Sequence, residues 1–235
     1  MKDLQIILRQ ALDRAKWLFP SFLVLLVAFL VYGLLHYLFD RLMLFLGVNG
    51  NVGIGLLKWL LDLGILSHLA GLLAHLFQRG TLSWDRLLAG DFSFFAPMSQ
   101  VYFWLYLIEY AFFQLLAPNL PGRITLLLLA LWQTFTAPAF ESVYLAGESG
   151  QSFLPALLAL WRANPLPMTL FSLVGFAIYY GVLSVSYSWL FQPEPLSLLL
   201  IALLSVFYYL TKGILFQILN FTNPRSREFR QRMKR

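Results

Sequence analysis

Apolar residues run along this chain in six long stretches with little polar interruption, near 21–39, 53–77, 97–116, 121–140, 165–190 and 195–220. Each is close to the roughly 20 residues that a helix needs to cross the hydrocarbon core of a bilayer. A segment in lipid must satisfy its backbone polar groups internally, so stretches of this length predict helices. The fold class read from the pattern is all-α: a polytopic membrane helix bundle with six transmembrane helices over residues 1–220, then a basic tail over 221–235. The third and fourth stretches are separated only by Ala117, Pro118, Asn119 and Leu120. A re-entrant hairpin competes there, but arms of about 20 apolar residues each favour two full spans.

The residues ahead of the first stretch have a different period. Leu4, Ile7, Leu8, Ala11, Leu12, Ala15 and Leu18 recur at helical spacing, and Asp3, Gln5, Arg9, Gln10, Asp13, Arg14 and Lys16 lie mostly opposite. Such a helix lies in the headgroup plane, with Arg9, Arg14 and Lys16 toward anionic phosphates. Pro20 then turns the chain into the first span, because a proline disfavours helix at the residue before it. The step from Ala11 to Pro20 recurs from Ala156 to Pro165, and more faintly from Leu88 to Pro97. The pattern therefore predicts amphipathic interfacial elbow helices and a three-fold repeat of elbow plus hairpin. The lead is too long and too polar for a cleavable leader, so the first span is expected to stay as a signal anchor.

Composition agrees: hydrophobic residues make up 60% and charged residues 12%, with a mean hydropathy of +0.72. The absence of cysteine excludes disulfides, thiol chemistry and Cys-ligated metals. Placing both termini in the cytoplasm leaves only Arg41, Lys58 and Arg123 of the 17 cations on the far side. That bias predicts a multi-pass protein of a bacterial inner membrane with both termini cytoplasmic. In the tail, Arg225, Arg227, Arg230, Arg232, Lys234 and Arg235 face one acid, Glu228. Beside a span, such cations meet anionic lipid first, at about 1 kcal/mol each, so nucleic acid is not the expected partner.

Ionisable residues inside a span carry a cost that marks them for attention. Lys58 and Asp62 are four apart in the second span, and Glu109 lies in the third. Counting 1.5 Å per residue from the outer ends puts them about 8, 14 and 11 Å deep. A buried charge cluster of Lys58, Asp62 and Glu109, with His36 as neighbour, follows. It is either a latch between spans or a site for an ion or polar headgroup. His68 and His75 share a face without further metal ligands, and no HExxH is present, so neither a metal nor a cofactor is expected. Ala177, Gly181, Ser184 and Ser188 form a small-residue seam. Trp17, Tyr37, Trp84, Trp161 and Trp189 sit where aromatic belts belong.

The stretch after Thr136, FTAPAFESVYLAGESGQSFLPALLALWRANPLPMTLFSLVGFAIYY, holds Pro138, Glu141, Ala156, Trp161, Arg162 and Asn164. It resembles bacterial membrane proteins grouped with the membrane-anchor domain of glycerophosphodiester phosphodiesterases, with Ala159 or Leu160 where a Ser is usual. In those proteins the phosphodiesterase activity, where present, resides in an attached soluble domain. The resemblance thus implies an architecture and no activity. The function expected is that of a non-enzymatic membrane protein, lipid-engaging or membrane-organising, with anionic headgroups as partners and room for a protein partner or homo-oligomer. A small transporter or channel with its charge cluster in the outer leaflet is the alternative. An enzyme ranks last, for want of a nucleophile–base pair or metal-ligand set.

Overall fold

The computed structural model describes residues 2–46, 52–173, 175–176, 195–220 and 222. Among them the chain is helix and turn, with no strand. α1 (Lys2–Leu18) passes through a 3-10 turn at Phe19–Ser21 into α2 (Phe22–Phe45). Then come α3 (Val52–Arg79), α4 (Trp84–Leu88) and α5 (Phe95–Ala111), which runs into a π turn at Phe112–Leu116 and a 3-10 turn at Ala117–Asn119. α6 (Gly122–Thr136), α7 (Ala139–Ala146), α8 (Phe153–Ala163), α9 (165–173) and α10 (Pro195–Asn220) complete the described chain. Four helical runs are long and apolar enough to cross a membrane: Asp3–Phe45, Gly53–Arg79, Gly122–Ala146 and Leu196–Asn220. They suggest a membrane protein.

The boundaries differ from the sequence pattern in instructive places. α2 continues past Phe39 to Phe45, because a single charged residue interrupts the apolar pattern without breaking the helix, and Asp40 within it pairs with Lys58 at 2.7 Å. The span expected over 97–116 is not one regular helix, since α5 stops at Ala111 after 17 residues. Pro118 has no N–H to offer the carbonyl of Gln114, so the ladder widens there, and the Asn119 side-chain amide caps the Leu115 carbonyl at 3.0 Å. Of the stretch expected over 165–190, residues 165–173 and 175–176 are described. The seam of Ala177, Gly181, Ser184 and Ser188, Trp189, and the tail cations Arg225, Arg227, Arg230, Arg232, Lys234 and Arg235 lie outside the described residues.

The three proline steps are built differently. At Pro20 the backbone stays in the right-handed helical region on both sides (Leu18 φ −85°, ψ −12°; Ser21 φ −86°, ψ −3°), so helix follows helix through one tight turn. At Asn164 the chain leaves helical geometry (φ −139°, ψ 54°) before Pro165 starts α9. Pro97 lies in the first turn of α5, where its missing N–H breaks no ladder bond.

The chain divides into two compact units: Met1–Leu12 with Ala96–Gly175 and Lys212–Arg235, and Asp13–Phe95 with Phe176–Thr211. In the second, α2 packs on α3 and α4. Its core includes Leu25, Ala28, Leu69, Ala70, Leu73 and Leu76, each no more than 1% exposed. The turn after α3 docks on the α1–α2 junction: the Leu82 N–H donates to Ser21 Oγ at 2.9 Å, and Gly80 lies under the Trp17 ring. Gly80 has φ +79°, and a Cβ there would sit 2.2 Å from that ring, so no other residue fits. In the first unit, α8 packs on α6 and α7. Phe153, Leu157, Met168 and Phe216 are among its buried residues.

Candidate functional site

In the first unit a broken helix surrounds a buried ion pair. Pro138 separates α6 from α7 inside the Gly122–Ala146 run. A proline in a helix leaves the carbonyl four residues earlier without its donor and pushes its neighbours off the ladder. The Thr134 carbonyl keeps a long 3.4 Å bond from the Ala137 N–H, and both it and the Phe135 carbonyl accept donors from the following helices. Ser172 Oγ of α9 donates to the Thr134 carbonyl at 3.0 Å, and Trp161 Nε1 of α8 donates to the Phe135 carbonyl at 3.0 Å. Asn164, 1% exposed, works at another helix end. Its carbonyl accepts the first bond of α9 from Met168, and its side-chain amide donates to the Leu219 carbonyl in the last turn of α10 at 3.1 Å.

The break puts Glu141 in the first turn of α7, where the helix dipole favours a carboxylate. Its side chain is fully buried, and Lys212 of α10 places Nζ 3.1 Å from Oε2 with its side chain 7% exposed. The contact is close but poorly angled: neither carboxylate oxygen makes a hydrogen bond of good geometry among the described residues. The distance establishes the ion pair and leaves hydrogen-bonding capacity unused. The same Nζ lies 5.7 Å from the centroid of the Phe171 ring, within cation–π range. Among the described residues, Glu141 and Lys212 are the buried charged side chains.

The second unit carries a polar ladder along the seam of α2 and α3. Tyr32, His36 and Asp40 are spaced by four and share one face of α2. Their partners on α3 run the opposite way: Tyr32 Oη meets His68 Nδ1 at 2.6 Å, His36 Nδ1 meets Asp62 Oδ1 at 3.4 Å, and Lys58 Nζ donates to Asp40 Oδ1 at 2.7 Å. The two lower rungs are half-exposed.

The charge cluster expected from the sequence therefore assembles in a different form. His36 and Asp62 do meet. Lys58 reaches across to Asp40 instead of along its own helix to Asp62, an i,i+4 order (Lys before acid) that is the weaker one on a helix. Glu109 has another partner, accepting from Trp132 Nε1 at 3.2 Å within the first unit. Lys212, counted among the cytoplasmic cations, is a core charge and carries no topological information. Glu141 and Lys212 were missed as a pair. The signal was available: each is an ionisable residue in an apolar run with no opposite charge three or four positions away.

On α1, Ile6, Ile7 and Leu18 are buried, whereas Leu8 and Leu12 are 61% and 62% exposed. Ala15 joins them on an exposed apolar stripe flanked by exposed Arg9 and Lys16, with exposed Arg14 elsewhere on the helix. Among the described residues no three His or carboxylate side chains gather as a metal site. Of the residues behind the family resemblance, Pro138, Glu141 and Trp161 take part in the broken-helix arrangement, and Asn164 joins the start of α9 to the end of α10. No family model matches the chain, and no curated protein or solved structure matches it.

Proposed function

We propose that this chain is a non-enzymatic membrane protein that engages lipid at the ends of its helices, with anionic headgroups as its chief partners. The observation that carries this is the outer side of α1. Leucines exposed at 61% and 62% beside Arg9 and Lys16 are costly in water and at home at a lipid interface, apolar stripe in the acyl boundary and cations among phosphates. The setting is a bacterial inner membrane with both termini cytoplasmic and six spans. It rests on the cation bias, which survives the loss of Lys212, and on the architecture that the family resemblance implies.

The test is reconstitution of the full chain in nanodiscs of phosphatidylcholine doped with phosphatidylglycerol, with retained lipid counted by mass spectrometry. Replacing Arg9, Arg14 and Lys16 by Gln should reduce phosphatidylglycerol enrichment severalfold at low salt. Unchanged enrichment would sink the assignment of α1. Reporter fusions at both termini that appear periplasmic would reverse the topology.

A second function, a small transporter, is favoured by one observation. The Gly122–Ala146 run is interrupted at Pro138 three residues before a buried carboxylate, and discontinuous helices around charge are how transporters build midplane sites. The pair is sealed from both solvent and lipid, however, which suits a latch better than a site that must load and release. Substrate-dependent flux abolished by Glu141→Gln in a variant that still folds would choose the transporter.

A further inference from the structure

A cavity of about 260 Å³ in the second unit holds opposite charges that do not close on each other. It lies where α3 ends and the chain returns through α4 and the loop before α5. Gly71, His75, Gln78 and Arg79 line it from one face of α3, Arg86 from α4 and Asp91 from the loop. The acid is built in. Its Oδ1 accepts the Ser93 N–H at 3.0 Å, and a Cβ on Gly71 would come within 3.1 Å of its own Cβ and 3.2 Å of Oδ2. The missing side chain at Gly71 is what lets the loop rest on the helix. The hydrogen bonds from Ser93 hold the Asp91 carboxyl below the usual carboxylate range, so it is ionised at neutral pH.

Among the described residues, Arg79, Arg86 and Asp91 form no ion pair. Arg79 and Arg86 are exposed and solvated, so neither has to close on Asp91, and all three charges stay available to a ligand that enters the space. Here both signs face one space, two guanidiniums and one carboxylate. We propose that the cavity binds a phosphoethanolamine group, with Arg79 and Arg86 on the phosphate and Asp91 on the ammonium. The inference rests on the lipid-engaging function above. It commits to an aminophospholipid as the source, because the cavity sits at the end of the Gly53–Arg79 run, at the level where headgroups lie. The carboxylate sets the selectivity. An ethanolamine ammonium donates hydrogen bonds to Asp91, a choline has no N–H to give, and a phosphatidylglycerol headgroup has no cation.

The experiment uses the full chain in phosphatidylcholine nanodiscs doped separately with phosphatidylethanolamine and phosphatidylglycerol, with lipid retained through detergent extraction counted by mass spectrometry. Phosphatidylethanolamine should be retained over phosphatidylcholine, and Asp91→Asn should remove that preference while leaving phosphatidylglycerol retention unchanged. Arg86→Gln, on an exposed side chain that does not threaten folding, should lower phosphatidylethanolamine retention about tenfold. Soluble glycerophosphoethanolamine that binds lipid-stripped protein in an Asp91-dependent way would support the same chemistry with a soluble source. No preference over phosphatidylcholine, or a preference that persists in both variants, overturns the site. Phosphatidylglycerol enrichment reports on the α1 cations separately, so loss of that enrichment with the ethanolamine preference intact would remove the broader function alone.

Discussion

In the first unit Lys212 and Glu141 approach to 3.1 Å with side chains 7% and 0% exposed, whereas in the second Lys58 and Asp40 approach to 2.7 Å at 45% and 31% exposed. By distance the second pair is the better one. By consequence the order reverses. A charge taken fully out of water is held only by its partner, so the buried pair is bound to its geometry, while the half-exposed rungs can trade each other for solvent or headgroups. The two units thus use the same residue types for different ends: a single sealed contact that fixes how α7 meets α10, and a graded ladder that lines up α2 with α3.

The largest effect should come from splitting the sealed pair. Lys212→Ala leaves Glu141 uncompensated and should cost about 3–5 kcal/mol of stability, read as thermal unfolding in detergent. Replacing both, with Glu141→Leu and Lys212→Met, should recover most of that loss. A double variant as unstable as the single one would mean that the pair is not a latch. Next in size is Asn164→Ala, which removes the side-chain donor to the Leu219 carbonyl in a buried setting, leaves that carbonyl only the long 3.5 Å bond from the Thr222 N–H, and should cost about 1–3 kcal/mol. Parity with an exposed substitution would show that the α10 end is satisfied some other way.

The ladder should respond weakly. Lys58→Ala should cost about 1 kcal/mol or less, and the difference should shrink in high salt. A loss as large as that of Lys212→Ala would erase the contrast between the units. The smallest effect is a pH response at Asp91. Its folded pKa is depressed, so its contribution is complete at neutral pH and is lost only as pH falls through that lowered value, below the ordinary carboxylate range of about 3.9. Hydrogen-exchange protection of the Ser93 amide, corrected for intrinsic rate, should hold from pH 7 to 5 and drop only in stronger acid. A drop already at pH 5 would mean that Asp91 is not held in this way.

Helix content and the amphipathic start were legible because they depend on period and hydrophobicity, which are local. Leu8, Leu12, Arg9 and Lys16 fall where their spacing puts them. The charge partners were less so. His36 was expected as a neighbour of the cluster and does meet Asp62, but depth alone does not say which neighbour a side chain faces, and Lys58 found Asp40 across the seam. Asp40 lies one residue beyond the apolar stretch expected over 21–39, whereas the helix runs on to Phe45 and includes it. Lys212 was misplaced for a related reason: counting cations by loop assigns every charge to an interface, although its position eight residues before the end of α10 puts it about 12 Å inside the helix. The caps from Ser172, Trp161 and Asn164 are tertiary, and only the proline at 138 hinted that such donors would be needed.

The break at Pro138 has a consequence for how the protein is made. A Gly122–Ala146 helix entering a bilayer by itself would bring the Phe135 carbonyl into hydrocarbon with no donor and leave the Thr134 carbonyl only a long 3.4 Å bond from the Ala137 N–H, at a cost of several kcal/mol for a group left bare. Both donors lie only 26 and 38 residues further along the chain, at Trp161 and Ser172. The segment is therefore incomplete when it leaves the ribosome and is finished by the next one to emerge. Insertion and tertiary packing become one event here, ordered by the direction of synthesis.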